Sequence, residues 1–373
     1  MINRYLESII ASRMGQGKAI VLFGARQVGK TTMLKNLLAR RDDVLWLNGD
    51  EQDVRNLFEN VSSTMLKTII GKKSVVVIDE AQRISDIGIG IKLITDNIPD
   101  VQVLATGSSS FDLSNKINEP LTGRKMEYWM YPLSFGELVE HHGLLEEKRL
   151  LAHRLIYGSY PDVINNVGDE RMILTELANS YLYKDILMFD KIKKSDKLVK
   201  LLQALAFQMG SEVSYNELAQ TCGLDPKTVE SYVTLLEQSY IIFRLGSFSR
   251  NLRNELKFAR KIYFWDCGIR NAVIGNYQML ESRLDTGALF ENYMVAERLK
   301  KLRYEKSYAK SYFWRSKLKQ EIDYIEEMDG QLAAVEFKWN PNRKAAMPLS
   351  FSRSYPDVDF KVVTRDNFGT FLL

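Results

Sequence analysis

The chain of 373 residues has few cysteines and histidines and no long apolar run, and each scarcity excludes a class of protein. Cys222 and Cys267 lie far apart and outside any Cys-x-x-Cys pair, which argues against a disulfide framework and against a zinc site. His141, His142 and His153 have no partners at metal-ligand spacing, so we expect them at the surface. No stretch approaches the roughly 20 consecutive apolar residues that a membrane span requires.

The charge balance and the first residues narrow the class further. Lysines and arginines number 51 and acidic residues 47, and the resulting net charge of +4 does not by itself indicate a nucleic-acid-binding protein. Asn3, Arg4 and Glu7 interrupt the basic-then-apolar layout of a secretion signal. We therefore expect a cytoplasmic protein that does not contact the membrane. Its length and 45% apolar content are typical of two or three globular domains.

Residues 19–32 show the pattern of a phosphate-binding loop. An apolar run suited to a buried strand precedes Gly-x-x-x-x-Gly-Lys-Thr, and apolar residues then recur at helical spacing. Backbone N–H groups of such a loop cradle phosphate oxygens, Lys30 would reach the β- and γ-phosphates, and the Thr31 hydroxyl would hold Mg²⁺. The predicted ATP-binding residues are Gly24, Ala25, Arg26, Gln27, Val28, Gly29, Lys30, Thr31 and Thr32.

A second apolar run, residues 75–78, is followed by two carboxylates, Asp79 and Glu80. Ligands of parallel sheets bind beyond the carboxyl ends of the strands, which is where these side chains are expected. Asp79 would hold Mg²⁺, and Glu80 would act as general base toward the attacking water. Alone, an Asp-Glu pair after a strand would be better explained as a helix cap. Downstream of a complete P-loop, the catalytic interpretation is favoured.

Two further segments supply candidate catalytic residues. Thr106 and Ser108 follow another apolar strand and could contact the γ-phosphate or the attacking water, although hydroxyls that cap a turn would fit equally well. Arg124 could stabilise transition-state charge, either in its own chain or in a neighbouring subunit. A surface salt bridge is the alternative for this arginine.

Several segments resemble the prokaryotic AAA-type ATPases of the archaeal-ATPase-like branch. The resemblance lies in residues 24–32 (GARQVGKTT), 75–82 (VVVIDEAQ), 105–110 (ATGSSS), 121–124 (LTGR) and 131–137 (YPLSFGE). It implies an ATPase core, a small helical lid, a winged helix and a C-terminal domain of unknown function that is restriction-endonuclease-like. We place these domains at residues 1–135, 136–193, 194–262 and 263–373.

Residues 196–245 have the element order of a winged helix-turn-helix, with Asp225 as helix cap and Pro226 in the first helical position. The outward face of its third helix carries one lysine, Lys227, and one glutamate, Glu230, which suits phosphate contacts poorly. The predicted wing is more basic and carries Arg244, Arg250, Arg253, Lys257, Arg260 and Lys261 around Phe248 and Phe258. DNA contact and protein docking both remain open.

The C-terminal third contains a second candidate site. Glu336 and Lys338 project from one face of a strand, and a hairpin places Asp323 beside them. This layout resembles the PD-(D/E)xK nucleases, in which two carboxylates bind Mg²⁺ and the lysine orients water. Glu291 matches an additional acidic residue of that group, whereas Ile322 stands where its usual proline would be. A solvent-facing strand with mixed charges is the alternative.

The same third is rich in cations and aromatic residues, a combination that suits nucleic acid if it forms one surface. A solvated helix face would show the same composition. The residues concerned are Lys300, Lys301, Arg303, Lys306, Lys310, Arg315, Lys317 and Lys319 with Tyr304, Tyr308, Tyr312, Phe313 and Trp314.

The sequence thus predicts an α/β protein with a parallel-sheet P-loop NTPase core of the AAA type, a helical lid, a winged helix-turn-helix and an α/β PD-(D/E)xK-like domain. We expect a Mg²⁺-dependent ATPase. One hypothesis couples hydrolysis to binding, processing or cleavage of DNA. The other is an ATP-gated regulator that binds protein partners or copies of itself.

Overall fold

The computed structural model describes residues 2–108, 113, 116–118, 120–180, 195–249 and 260–373. The chain divides into two compact units. The first comprises Met1–Tyr131 with Gln238–Tyr240, and the second comprises Pro132–Glu237 with Ile241–Leu373.

A five-stranded parallel sheet forms the centre of the first unit. Its strands are β1 (Ala19–Gly24), β2 (Val44–Asn48), β3 (Val75–Asp79), β4 (Gln102–Gly107) and β5 (Lys125–Met130). They lie in the order β2-β3-β4-β1-β5, and every neighbouring pair is parallel. All six residues of β1 are buried, which is why that strand reads as a continuous apolar run. The predicted α/β architecture with a parallel sheet core is confirmed.

Helices connect the parallel strands, as such connections require. Ser62 caps the helix Ser63–Ile70 by accepting a hydrogen bond from the Met65 N–H. The buried residues of this helix are Leu66 and Ile70. The helices are α1 (Tyr5–Ala11), α2 (Lys30–Leu37), α3 (Gln52–Phe58), α4 (Ser63–Ile70) and α5 (Ile87–Asn97), with a 3₁₀ turn at Ala81–Arg83.

A seven-stranded mixed sheet forms the second unit's framework. Its strands are β6 (Glu212–Val213), β7 (Ile242–Ser247), β8 (Arg260–Phe264), β9 (Lys310–Arg315), β10 (Glu321–Met328), β11 (Gln331–Lys338) and β12 (Val358–Thr364). Their order is β12-β11-β10-β9-β7-β8-β6. The predicted boundary after residue 262 falls inside β8, and β7 pairs with β9, so this boundary does not divide the structure. The strands assigned to a wing and those assigned to the endonuclease-like domain form one sheet.

Helices of the second unit occur before, between and after these strands. They are α6 (Phe135–His142), α7 (Leu144–Arg149), α8 (Leu151–Tyr157), α9 (Pro161–Asn165), α10 (Glu170–Ser180), α11 (Ser195–Phe207), α12 (Tyr215–Cys222), α13 (Pro226–Gln238), α14 (Cys267–Ile274), α15 (Thr286–Tyr304), α16 (Leu349–Ser354) and α17 (Phe368–Leu372). The predicted lid is helical as far as Ser180, and residues 181–194 lie outside the described part of the chain. None of the helices in the described ranges has the length and apolar character needed to cross a membrane. The winged-helix assignment of residues 194–262 stays a prediction.

Candidate nucleotide-binding site

The P-loop connects the end of β1 to the start of α2, beside β5. Gly24 packs so closely on β5 that a Cβ there would lie 2.2 Å from the Met130 carbonyl oxygen. Gly29 precedes α2 with a φ of 95°, a left-handed conformation that favours glycine. The Lys30 ammonium donates to the carbonyls of Gly24 at 2.7 Å and Ala25 at 2.8 Å. Its charge therefore lies directly against the loop that would receive the phosphates.

The Asp79 carboxylate accepts hydrogen bonds from two threonines. Thr31 Oγ1 donates to its Oδ2 at 2.8 Å, and Thr106 Oγ1 donates to its Oδ1. This donor set fits Mg²⁺, which takes oxygen ligands in octahedral geometry and whose adjacent ligands lie about 2.9 Å apart. Thr31 and Asp79 are the residues that would hold the ion.

Glu80 comes directly after β3 and has a left-handed backbone, with φ 49°. Its N–H donates to Thr106 Oγ1 at 3.2 Å. Its carboxylate oxygen Oε2 accepts from Gln82 Nε2 at 2.5 Å and from Ser108 Oγ at 3.3 Å. The two predicted hydroxyls, Thr106 near the end of β4 and Ser108 just after it, thus contact the two predicted carboxylates. Gln82 was not identified from the sequence, because an Asp-Glu-Ala-Gln run does not indicate which groups the side-chain amide of the glutamine contacts.

A cavity of about 290 Å³ lies at this edge of the sheet. It is lined by Arg26, Gln27, Gly29, Lys30, Thr31, Thr32, Asp50 and Glu80. Most of these residues are among those predicted to bind ATP, whereas Asp50 was not predicted. Asp50 also forms an ion pair with Arg83, Oδ1 to Nε, at 3.4 Å.

Arg4 is a second residue that sequence reasoning missed. In the sequence it stands out only as an interruption of a secretion-signal layout, yet its side chain is buried. Its guanidinium donates to the carbonyl of Val28 in the P-loop and to that of Tyr131 after β5, both at 2.6 Å. Val28 itself is fully buried. Arg4 therefore fixes the back of the loop, a role that a local motif cannot reveal.

Arg124 does not lie near the nucleotide site of its own chain. The register pairs Ala19 with Lys125 and Gly24 with Met130, so Arg124 precedes the amino-terminal end of β5, whereas the P-loop follows the carboxyl end of β1. The six residues of the strand separate these two ends by about 20 Å. Arg124 Nε instead pairs with Asp96 Oδ1 at 2.6 Å. A catalytic role within its own chain is therefore wrong, and a role toward a neighbouring subunit stays a prediction.

The second unit brings the predicted C-terminal residues into one cluster. Lys338 Nζ lies 2.5 Å from Glu336 Oε2 and 3.8 Å from Asp323 Oδ2. Asp323 also accepts the Phe337 N–H at 2.9 Å. Burial and the neighbouring Asp323 charge raise the pKa of Glu336 to about 7. Burial likewise raises the pKa of Glu291 to about 7, against the opposing effect of Lys261.

Lys261 changes the interpretation of this cluster. Its ammonium is buried and pairs with Glu291 Oε1 at 3.0 Å and with Glu321 Oε1. Tyr263 donates to the same Glu291 oxygen at 2.6 Å. The described residues contain no group of three or more acidic, histidine or cysteine side chains arranged to hold a metal ion. Lysines thus pair with all four carboxylates of the cluster, Glu291, Asp323, Glu321 and Glu336, and these contacts give the predicted magnesium site no support.

The predicted basic surfaces are also smaller than their composition suggested. Lys300 is buried and pairs with Glu297 at 2.7 Å. Among the interleaved aromatics, Tyr304 and Phe313 are buried, while Tyr312 and Trp314 pack on an apolar cluster that contains Phe351. Only Tyr308 of the five predicted aromatics is exposed.

Two of the predicted wing cations are already engaged. Arg244 donates to Glu237 through Nε at 2.9 Å and through a second nitrogen, and Lys261 is buried. Both belong to the basic set for which the sequence leaves DNA contact and protein docking open. The predicted wing residues Arg250, Arg253, Lys257 and Phe258 lie outside the described residues.

The nucleotide site defines an AAA-type P-loop protein, and comparison with protein families agrees. Residues 16–139 match the family described as AAA domain. Residues 148–279 and 286–368 match two domains of unknown function, DUF8612 and DUF4143. These matches agree with the motifs, which predicted an AAA-type P-loop core followed by a C-terminal domain of unknown function.

Relatives extend over most of the chain at low identity. An uncharacterized protein of Methanocaldococcus jannaschii is 21% identical and aligns with 99% of this chain and 86% of its own length. An uncharacterized protein of Mycobacterium tuberculosis is 24% identical, over 86% of this chain and 70% of its own. Among solved structures, the Walker-type ATPase PABY2304 of Pyrococcus abyssi superposes with a TM-score of 0.50. It is 15% identical and covers 74% of this chain and 96% of its own, a likeness that shows the fold.

Proposed function

We propose that this protein hydrolyses ATP in a Mg²⁺-dependent reaction at the P-loop cavity. The observation that carries the proposal is the joint placement of Thr31, Asp79 and Glu80 at one edge of the sheet, next to Lys30. Binding alone would need the loop and its lysine. The carboxylate of Glu80 supports turnover, because it lines the same cavity as the phosphate-binding residues.

Each residue has a separate task in this reaction. The loop N–H groups and Lys30 bind the β- and γ-phosphates, and Lys30 exchanges its two carbonyl partners for phosphate oxygens. Thr31 and Asp79 would hold Mg²⁺, which would supply positive charge against the phosphates. Glu80 accepts the proton of the water whose oxygen bonds to the γ-phosphorus, and the bond from that phosphorus to the bridging oxygen breaks to release ADP.

Phosphate release measured with ATP, in Mg²⁺ and in excess chelator, tests the proposal. We expect steady turnover in Mg²⁺ and none in chelator. Lys30→Ala should lose ATP binding by at least about a hundredfold, because the phosphates lose their buried charge partner. Turnover that persists in Lys30→Ala would contradict the proposal and would indicate a contaminating enzyme.

What hydrolysis serves is a separate proposal, and we favour the ATP-gated regulator that binds a protein partner. The pairing of Arg244, Lys261 and Lys300 leaves fewer cations for phosphate contacts than the composition suggested. Salt-dependent retention on heparin and DNA distinguishes the two hypotheses. Release at low salt supports the regulator, whereas strong retention with a steep salt dependence would favour nucleic acid.

Cleavage of nucleic acid receives no support from the C-terminal cluster, because lysines already neutralise its carboxylates. Incubation of supercoiled and linear DNA with Mg²⁺ or Mn²⁺ should leave both intact, with or without ATP. Nicking that is lost in Glu336→Ala would restore the nuclease hypothesis.

A further inference from the structure

We propose that Gln82 positions the catalytic carboxylate by holding one oxygen of Glu80, so that the other oxygen can face the attacking water. Gln82 is thus a positioning residue, not a catalytic one, since it acts through Glu80. The inference rests on the hydrolysis proposed above and assigns a role to a side chain that the P-loop motifs do not include.

Three hydrogen bonds connect the side chains of Gln82, Ser108 and Glu80, and two of them end on the same Glu80 oxygen. Gln82 Nε2 donates to Glu80 Oε2 at 2.5 Å and to Ser108 Oγ at 2.9 Å. Ser108 Oγ donates to the same Oε2 at 3.3 Å. Because both donors converge on Oε2, they restrict rotation of the carboxylate without occupying its second oxygen. Glu80 meanwhile lines the cavity that would receive the phosphates.

Gln82 is itself held firmly in place. It lies in the 3₁₀ turn Ala81–Arg83 with a relative exposure of 8%. The Lys116 ammonium donates to the backbone carbonyls of Gln82 at 2.6 Å and of Ile84 at 3.0 Å, on either side of the turn's last residue. A buried side chain on a fixed turn can hold a neighbouring side chain in one orientation.

The amide also depends on a glycine. A Cβ at Gly107 would lie 3.2 Å from Gln82 Oε1 and 2.6 Å from a methyl carbon of Leu113. The last residue of β4 therefore leaves the space that the Gln82 side chain needs to reach Ser108, one residue further along.

The backbone of Glu80 is restricted as well. Its left-handed conformation is strained for a residue other than glycine, and such conformations cluster at functional sites. The Glu80 N–H donates to Thr106, whose hydroxyl also bonds Asp79. Thr106 thus holds the backbone of Glu80. Ser108 and Gln82 together hold the Glu80 carboxylate.

Gln82→Met tests the role, because methionine keeps the length and volume of glutamine but removes the amide donors. The exposed Gln220→Met is the matched control. We expect kcat for ATP hydrolysis to fall about tenfold to a hundredfold in Gln82→Met, with the Kd for ATP within about twofold of wild type. Gln220→Met should match wild type in both.

The separation of kcat from Kd is the readout that a purely structural role would not give, because a disturbed site would lose ATP affinity together with rate. A wild-type kcat in Gln82→Met overturns the proposal. So does a faster rate, or a fall in kcat accompanied by an equal loss of ATP affinity. Wild-type protein that binds ATP without hydrolysing it would instead refute the proposed function, and this inference with it.

Discussion

Asp79 illustrates how single residues divide the work at the nucleotide site. Its two carboxylate oxygens accept from hydroxyls on different segments, Thr31 after the P-loop and Thr106 on β4. Each hydroxyl holds one oxygen, so the carboxylate has a fixed direction before any ligand binds. Fixed donors of this kind are effective because they need not reorganise during the reaction.

Arg124 gives a prediction at the same scale. Arg124→Ala should leave the Kd for ATP unchanged within about twofold, because the residue lies about 20 Å from the P-loop along the strands of its own chain. Asp96→Ala, which removes its ion-pair partner, is the matched control. Titration of a fluorescent ATP analogue measures both. A tenfold loss of affinity in Arg124→Ala alone would contradict this expectation and would favour the predicted role toward a neighbouring subunit.

The residues that could be predicted are those whose role follows from local spacing. Lys30 and Thr31 belong to a contiguous loop, and Asp79 and Glu80 end a strand whose apolar pattern is visible in the sequence. Arg4 and Lys261 act through contacts between distant segments, and Gln82 acts on the nearby Glu80 together with the distant Ser108. No periodicity or motif specifies such contacts, so these three residues could be found only in the structure.

Among the elements, β8 departs most from the prediction, because it places a lysine where a magnesium ion was expected. Lys261 lies on this strand, and its buried ammonium pairs with the carboxylates of Glu291 on α15 and Glu321 on β10. The strand thereby links elements that are distant in sequence. The predicted magnesium site would require these carboxylates to be available to a metal ion.

Lys261→Met should therefore destabilise the second unit strongly. Removing one partner of a buried ion pair leaves an uncompensated charge and typically costs about 3–5 kcal/mol. The matched control is Lys310→Met on the exposed end of β9, which should change stability by less than about 0.5 kcal/mol. Urea unfolding followed by circular dichroism gives both values. A loss below about 1 kcal/mol in Lys261→Met would show that the ammonium is not needed to neutralise the cluster.

Strand existence was easier to predict than strand partnership. The strands β7 and β8 are each a short segment rich in apolar and aromatic residues, a composition that favours a strand. Their place in a sheet with β9 and β10 could not be read from them, because pairing is decided by contacts across the whole unit. The same limit explains Arg124, whose position depends on the parallel register of β5 with β1.

At the scale of the whole molecule, Glu291 and Glu336 should make stability depend on pH. Burial raises the pKa of each to about 7, whereas in the unfolded chain each would titrate at its ordinary, lower value. Between those pH values the folded state binds more protons than the unfolded state. The free energy of unfolding should therefore fall as pH rises through about 7.

Glu336→Gln isolates one of these contributions, because the amide does not ionise. Thermal unfolding of wild type and variant between pH 5.5 and 8.5 measures the effect. We expect the wild-type Tm to fall further across this range than the Tm of the variant, by a few degrees. Parallel curves would mean that Glu336 does not titrate differently in the folded and unfolded states.

The claim on which the rest depends is that Glu80 performs the chemistry at a site built by the P-loop and β3. The measurement that tests it most directly is the Kd for ATP and the rate of phosphate release for Glu80→Gln, determined beside wild type in Mg²⁺. We predict an unchanged Kd and a rate lower by at least about a hundredfold, because the amide keeps the shape of the side chain but cannot accept the proton of water. Normal turnover in Glu80→Gln would contradict the account.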